Sequence, residues 1–313
     1  MPDKINGKII QGVGGLYSVH VSDGVAEPYT VSCRARGSFR HNNLSPLAGD
    51  NVIISPARDD EKNLSEEFVI EEICERKNSI IRPPLANLDY LFITLAAASP
   101  KPVLSTVDKL ISIAEFNEIE PIIVITKCEL DSEYAKELKR IYENSGFTVF
   151  SLSAVENIDV EPLNEFIKIS LIGKLAAFAG ASGIGKSTLL NSLFPQLSLS
   201  TSEISKKIQR GKHTTRKVEL FPVDLGEGCA YIADTPGFSM LDFERFDFFE
   251  KDDLVYTMRE FRPYINECRY TKCSHTKEEG CAILNALKNG KIEKTRHQSF
   301  CELYDVLKAK TKW

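Results

Sequence analysis

Long apolar runs are missing from this chain of 313 residues. The greasiest stretches, Tyr90–Ala98 and Pro121–Thr126, are strand-sized, well short of the roughly 20 apolar residues that a membrane-spanning helix needs. A membrane span is therefore excluded. The first ten residues, MPDKINGKII, hold no apolar block of the kind that marks a secretory signal. Material for a disulfide scaffold is scarce as well. Eight cysteines are unevenly spread, and Cys33, Cys74, Cys128, Cys229 and Cys301 stand apart from any obvious partner. Those five read as structural thiols in a reducing compartment, so the expectation is a cytoplasmic protein without membrane contact. Internal repeats and low-complexity tracts are absent. So is a surplus of positive charge: a net charge of −5 argues against indiscriminate coating of nucleic acid and leaves room for a local basic surface only. What remains is a globular balance, 42% hydrophobic and 27% charged, over a length suited to about two or three domains.

The first part of the chain reads as β-structure. Short runs at Ile5–Ile10, Leu16–Val21, Tyr29–Arg34, Asn51–Ile54 and Phe68–Ile73 are separated by turn signals such as Gly14-Gly15, Asp23-Gly24 and Gly49-Asp50. A small barrel of the OB type fits this spacing, and another small β-domain fits it too. After Arg82-Pro83-Pro84 the rhythm changes. Strands are expected at Leu88–Leu95, Ile122–Thr126, Phe147–Leu152 and Lys174–Ala179, alternating with helices at Leu104–Phe116, Ser132–Ser145, Val160–Ser170 and Lys186–Leu193. Strands Val218–Pro222 and Cys229–Ala233 complete the series. Such alternation predicts a mostly parallel, doubly wound sheet with helices on both faces. Beyond Met240 the chain turns polar, with helices expected at Ala282–Asn289 and Ser299–Ala309. The expected division is a β-barrel over 1–76, an α/β nucleotide-binding domain over 77–241 and a metal-binding helical domain over 242–313.

The strongest motif is Gly180-Ala181-Ser182-Gly183-Ile184-Gly185-Lys186-Ser187-Thr188, which fits G-x-x-x-x-G-K-[ST] between an expected strand and an expected helix. Glycines let backbone N–H groups converge on a phosphate, and the helix N-terminus adds partial positive charge. Lys186 is placed to reach the β- and γ-phosphates, and Ser187 to ligate magnesium. Asp234-Thr235-Pro236-Gly237 follows the strand Cys229–Ala233, where a carboxylate organising magnesium belongs; an ordinary Pro-Gly turn is the plainer reading. Between the two lies the segment 206–217, with six Lys/Arg, which is either a solvated face or a phosphate-contacting surface. Within it, Thr214 or Thr215 offers a hydroxyl for a switch that closes on the γ-phosphate. His213 either positions water or is a solvated loop histidine.

Guanine is usually read by Asn-Lys-x-Asp at a strand end, its carboxylate accepting from N1 and the 2-amino group. Thr126-Lys127-Cys128-Glu129 occupies such a place, altered at its first and last positions. Ser153-Ala154, after the next strand, can supply a backbone N–H to the guanine carbonyl oxygen. The usual order of these parts is phosphate loop, switch, D-x-x-G and then base-reading elements. Here the base-reading elements come first, as a circular permutation would arrange them. A fourth constellation is Cys268-x4-Cys273-x-His275-x5-Cys281. Three thiolates and an imidazole so closely spaced in a polar loop suit a closed tetrahedral zinc site.

On these residues the chain resembles the bacterial small ribosomal subunit biogenesis GTPases, the circularly permuted, ribosome-dependent kind. The resemblance runs over essentially the whole chain and rests on Gly180–Thr188, Gly211-Lys212-His213-Thr214-Thr215, Asp234–Gly237 and the four metal-ligand candidates. It implies an N-terminal OB-fold, a permuted GTPase domain and a C-terminal zinc domain. It further implies GTP hydrolysis to GDP with magnesium, stimulation by the small subunit, contact with its rRNA near the decoding centre, a role in late subunit maturation, and release once hydrolysis occurs. A monomer is expected. Glu129 stands where the family generally has Asp, which bears on how tightly guanine is selected.

Charge is unevenly divided. From Thr257 to Trp313 there are twelve Lys/Arg against seven Asp/Glu, whereas residues 1–75 hold seven against twelve. RNA contact is therefore expected of the tail and the 206–217 segment, with Arg34, Arg36, Arg40 and His41 as one basic rim on an otherwise acidic barrel. The residue after Gly237 is Phe238, an apolar side chain that cannot orient water, so unaided hydrolysis should be slow. A nucleotide-gated RNA-binding module with incidental turnover is the competing reading.

Overall fold

The structure, a computed structural model, describes residues 4–37, 39, 45–57, 68–81, 83–197, 218–234 and 249–310. They group into two compact units. The first draws on Met1–Tyr90, Phe166–Ala177 and Phe194–Gly237, the second on Leu91–Glu165, Phe178–Leu193 and Phe238–Trp313.

In the first unit the five expected strands form: β1 (Ile5–Val13), β2 (Leu16–Val21), β3 (Tyr29–Ala35), β4 (Asn51–Pro56) and β5 (Phe68–Ile73). β1 pairs antiparallel with both β2 and β4, β2 with β3, and β4 with β5, while β3 and β5 run parallel. The ladder returns to its starting strand, so the sheet closes into a barrel and leaves no unpaired edge within these five strands. Alternation along the strands turns Ile9, Val19, Val21, Cys33, Val52, Ile54 and Ile70 into a common interior. Burial pushes the Cys33 thiol up to about 12, which makes it an inert packing group.

The linker after β5 holds a small hairpin that the sequence reading did not foresee, β6 (Ser79–Ile80) with β7 (Leu85–Ala86). Its strands are two residues each, too short for an alternation signal. β11 (Leu175–Ala179) pairs parallel with β13 (Cys229–Asp234), and β12 (Glu219–Asp224) lies antiparallel between β13 and β1 of the barrel. Tyr231 of β13 is gripped from the barrel side. Its hydroxyl lies 3.0 Å from His20 Nδ1 and 3.3 Å from Ser22 Oγ, and the Lys8 ammonium sits 5.3 Å from its ring centre.

The second unit carries β8 (Tyr90–Ala96), β9 (Glu120–Thr126) and β10 (Thr148–Ser151), with β9 and β10 parallel. Every residue of β9 after Glu120 is buried, as expected of a strand covered on both faces. Helix α1 (Leu104–Phe116) fills the expected range. Helix α2 (Ser132–Asn144) buries Ala135, Leu138, Ile141 and Tyr142 at helical spacing, and Asp131 caps it by accepting the Tyr134 N–H at 3.1 Å. Helices α3 (Glu161–Ser170) and α4 (Lys186–Leu193) follow. Phe92 of β8 stacks on Phe178, 4.7 Å between centres and 10° between planes.

The polar tail belongs to this second unit. It contains two 3-10 turns (Leu254–Thr257 and Arg259–Tyr264), α5 (Ala282–Lys288) and α6 (Lys294–Ala309). α6 starts five residues earlier than the expected Ser299. Its first turn is polar in sequence, yet Arg296 there is fully buried, donating to Asp108 of α1 at 2.5 Å and to Glu260 at 2.7 Å. Burial opposes the guanidinium's charge, but the two carboxylates outweigh it and raise its pKa. Arg259 and Arg262 add a second clasp, both donating to the carboxylate of Glu115 at 2.6 Å.

Removing Arg296 strands two carboxylates inside the protein. Arg296→Ala is expected to cost about 3–5 kcal/mol in chemical denaturation, several times the effect of breaking the exposed Lys136–Glu133 pair.

Candidate functional site

Strand β11, buried along its whole length, delivers the chain to the Gly180–Thr188 loop, and α4 carries it away. Gly180 has φ 146°, and a Cβ on it would lie 2.4 Å from both the Thr94 carbonyl oxygen and Ile184 Cδ1. No side chain fits there. Gly183 and Gly185 are also left-handed, at φ 79° and 90°. Ile184 is buried and pins the loop, while Ala181 and Ser182 are exposed on it. Lys186 opens α4 with its ammonium 3.4 Å from the Gly180 carbonyl oxygen, folded back over the loop. Ser187 and Thr188 follow in the first turn, and the Ser187 hydroxyl has no hydrogen-bond partner among the described residues. A glycine-permitted loop ending in a helix N-terminus turns backbone N–H groups toward one point, which suits a phosphate.

The end of β9 clasps this loop. The Thr126 hydroxyl donates to the Ile184 carbonyl at 2.5 Å, and the Lys127 ammonium donates to the carbonyls of Gly183, at 2.7 Å, and Ser99. The Cys128 N–H points at the Leu152 carbonyl, 3.4 Å away, joining this turn to the end of β10. Glu129 is half-buried. Its Oε2 is shielded from solvent and has no hydrogen-bond partner among the described residues. A carboxylate oxygen withdrawn from water without a donor is costly, so this atom suits a ligand that brings donors. Asp131, two residues on, turns one carboxylate oxygen to the cap of α2 instead.

Ser153 and Ala154 divide their work in a way that sequence did not reveal. The Ser153 N–H donates to the Ile158 carbonyl at 3.0 Å, and its hydroxyl accepts from the Glu156 N–H at 3.1 Å. Ala154 is the one whose N–H has no partner among the described residues. Asp234 is the last residue of β13 and stands opposite Glu219 in the ladder. His213, Thr214, Thr215, Gly237 and Phe238 lie outside the described residues, as do Arg40 and His41.

In the tail, Cys268, Cys273, His275 and Cys281 place their ligand atoms within 4.8 Å of one another. Cys268 and Cys281 Sγ are 3.8 Å apart, and each is 3.5 Å from His275 Nδ1. Metal–sulfur bonds of about 2.3 Å in a tetrahedron put sulfurs about 3.8 Å apart, so the donor set fits a closed four-coordinate cation. The N–H groups of Ala282 and Leu284 point at the Cys268 and Cys281 sulfurs, at 3.3 and 3.5 Å, and favour thiolate. Without a cation, burial pushes the Cys273 thiol up to about 12 and lowers the His275 imidazole. A divalent charge reverses the first of these and leaves the second useful, since neutral imidazole is the ligating form.

One contributor went unnoticed in sequence. Glu278 accepts from the N–H groups of Ser274, Thr276 and Lys277, at 2.9, 3.2 and 3.2 Å, and ties the loop between the ligands. Burial alone would raise its carboxyl, but the Ser274 hydroxyl, which also donates to it, and these N–H groups hold it down to about 2. Nothing in the run Ser-His-Thr-Lys-Glu signals such a staple before the turn is seen.

Known proteins match nearly the whole length of the chain. The family described as RsgA GTPase matches residues 73–244, and the RsgA N-terminal domain matches residues 6–63. A small ribosomal subunit biogenesis GTPase RsgA of Ruminiclostridium cellulolyticum is 40% identical over 302 residues, 96% of this chain and 93% of that protein. Its namesake in Caldanaerobacter subterraneus subsp. tengcongensis is 36% identical over 311 residues, covering 99% and 98%. Among solved structures, YjeQ from Thermotoga maritima superposes with a TM-score of 0.81 at 29% identity, covering 99% of this chain and all of that one. YloQ, described as a circularly permuted GTPase, gives 0.78 at 32% identity, covering 99% and 97%.

For the metal centre the expected outcome is one divalent cation per chain by elemental analysis of the purified protein. Cys273→Ser is expected to lose most of it, and full metal content in that variant would remove Cys273 from the ligand set.

Proposed function

The chain belongs to the RsgA GTPase family, whose members hydrolyse GTP in ribosome biogenesis, and from that premise we propose a GTPase switched on by the small ribosomal subunit. In this reading it binds the subunit's rRNA late in assembly, as a monomer in the cytoplasm, and leaves after hydrolysis. One observation carries the nucleotide part: Thr126 and Lys127 at the end of β9 hold the Gly180–Thr188 loop through its own carbonyls. A base-reading element and a phosphate-binding loop become one site even though the first precedes the second in the chain.

The roles follow from position. Backbone N–H groups of Gly180–Gly185 receive the phosphates, and Lys186 moves from the Gly180 carbonyl onto the β- and γ-oxygens. Ser187, whose hydroxyl has no partner among the described residues, is assigned as a magnesium ligand and Asp234 as the carboxylate that organises the ion, which when bound neutralises charge on the phosphate oxygens. Thr214 or Thr215 closes the switch over the γ-phosphate, and His213 orients the attacking water once the subunit is engaged. Phe238 cannot do so, hence the dependence on a partner. The cation of the tail is assigned as zinc, because three thiolates and an imidazole in a closed tetrahedron are soft donors without an open position.

Turnover measured by phosphate release is expected to rise about tenfold or more when small subunits are added. His213→Ala is expected to cut the stimulated rate by about a hundredfold. Equal rates with and without subunits would contradict the proposal and favour an RNA-binding module with incidental turnover.

Glu129 carries one methylene more than Asp, so its carboxylate must fold back to meet the donors of guanine. A charge-assisted bond of about 1.5–3 kcal/mol is then only partly realised. Glu129→Asp is expected to tighten GDP binding by about tenfold, and Glu129→Ala to erase the preference over ADP. Calorimetric affinities for GDP and ADP across the three forms decide it, and undiminished selectivity in the Ala form would move base reading elsewhere.

A further inference from the structure

Between the barrel and the strand that ends in Asp234 lies a buried polar joint to which none of the roles above is given. The backbone link there is narrow. Among the described residues β1 meets β12 at one rung, Gln11 opposite Glu219, and on its other side the same Glu219 stands opposite Asp234. Gln11, Glu219 and Asp234 therefore form one row across β1, β12 and β13, and the barrel is fastened to the sheet at the level of Asp234. Gln11 also ends an irregularity in β1, whose register with β2 shifts between Ile9 and Gln11. Irregularities of this kind re-aim a strand.

A second fastening sits three residues back along β13, roughly 10 Å from Asp234. Tyr231 there is 4% exposed, and its ring meets that of His20 in β2 edge-on, 5.6 Å between centres and 81° between planes. Its hydroxyl is shared between His20 Nδ1, at 3.0 Å, and Ser22 Oγ, at 3.3 Å. Buried Lys8 of β1 faces the same ring and donates to Asn51 of β4 at 2.7 Å. Burial favours the neutral His20 imidazole and pushes the Tyr231 phenol up to about 12, so the hydroxyl keeps a proton that the ring nitrogen can accept. On the side away from the barrel, the Tyr231 N–H donates to the Lys174 carbonyl at 2.9 Å. A satisfied buried network of this kind fixes one arrangement. Held at Tyr231 and again at the Glu219 row, the end of β13 takes its place from the barrel. We propose that His20 and Tyr231 are positioning residues, through which the barrel sets the place of Asp234 and thereby how strongly magnesium joins the bound nucleotide. The proposal rests on the assignment of Asp234 to magnesium made above and extends it to residues of the barrel.

The test measures the affinity of the full-length protein for a fluorescent, non-hydrolysable GTP analogue, in magnesium and in magnesium-free buffer. The ratio of the two is the gain that the ion supplies. Tyr231→Phe, which deletes only the hydroxyl, and His20→Leu are each expected to cut that gain about fivefold, as loss of one buried hydrogen bond does, with magnesium-free affinity near wild type. His20→Asn, whose amide can take the place of Nδ1, is expected to restore most of the gain. The double variant is expected to lose no more than either single one, because both break the same bond. A wild-type gain in both Tyr231→Phe and His20→Leu overturns the proposal. So does an equal loss of affinity with and without the ion, which marks a loosened fold rather than a displaced Asp234. Asp234→Asn serves as the reference. If it abolishes the gain while the joint variants keep theirs, the joint is rejected and the magnesium assignment stands. If Asp234→Asn keeps the full gain, the magnesium assignment fails and the proposal falls with it.

Discussion

A hydroxyl and an ammonium from the end of one strand hold the phosphate loop by its carbonyls. Thr126 reaches Ile184 and Lys127 reaches Gly183, so the loop's oxygen side is occupied by protein donors. With the carbonyls turned back toward β9, the N–H side of the same peptides is left for an anion. Gly180 makes the close approach to β8 possible, since any Cβ would collide with the Thr94 carbonyl. The end of β9 and the glycine loop therefore depend on each other. The Glu129 carboxylate is carried on the same turn as Lys127, so what grips the glycine loop also sets the position of the proposed base-reading group.

The tail is tied to α1 by buried charge as well as by apolar packing, as where Phe249 meets Phe116. Arg296 is wholly buried between Asp108 and Glu260, and Arg259 and Arg262 share Glu115. Buried ion pairs contribute little net stability, because desolvation offsets most of their attraction, but they tolerate few alternative arrangements. A loop-rich tail gains orientation from such pairs, and a cation held by the Cys268, Cys273, His275 and Cys281 cluster would add stability. Within it the ligand loop is shaped twice, once by the four donors and once by Glu278 receiving three backbone N–H groups.

Motifs with a fixed spacing and a backbone demand were legible before any coordinates. The glycines of the phosphate loop, the permuted order, the five barrel strands and the Cys₃His set all announce themselves, because each needs particular residue types at particular separations. Polar residues that end up buried did not. Arg296 sits in a stretch that reads as an exposed, polar approach to a helix, and its interior position depends on carboxylates distant in sequence. Hence α6 starts five residues before its expected origin. The hairpin of β6 and β7 escaped for another reason, since two residues carry no periodicity.

Sequence alone determined which parts are offered: a glycine-rich loop of phosphate-binding pattern, a candidate base-reading turn, a soft-donor set and a barrel, each encoded locally. Tertiary structure decided how those parts are committed. Only folding shows that Ser153 spends its N–H on Ile158 while the Ala154 N–H has no partner among the described residues, and that Asp131 caps a helix. It alone shows that Glu129 keeps a shielded oxygen with no partner among the described residues, and that Glu278 ties the loop between the candidate metal ligands. The reason is physical. Spacing along the chain states which groups are offered, whereas hydrogen bonding is competitive, and which donor or acceptor remains free is settled by every neighbour the fold brings near.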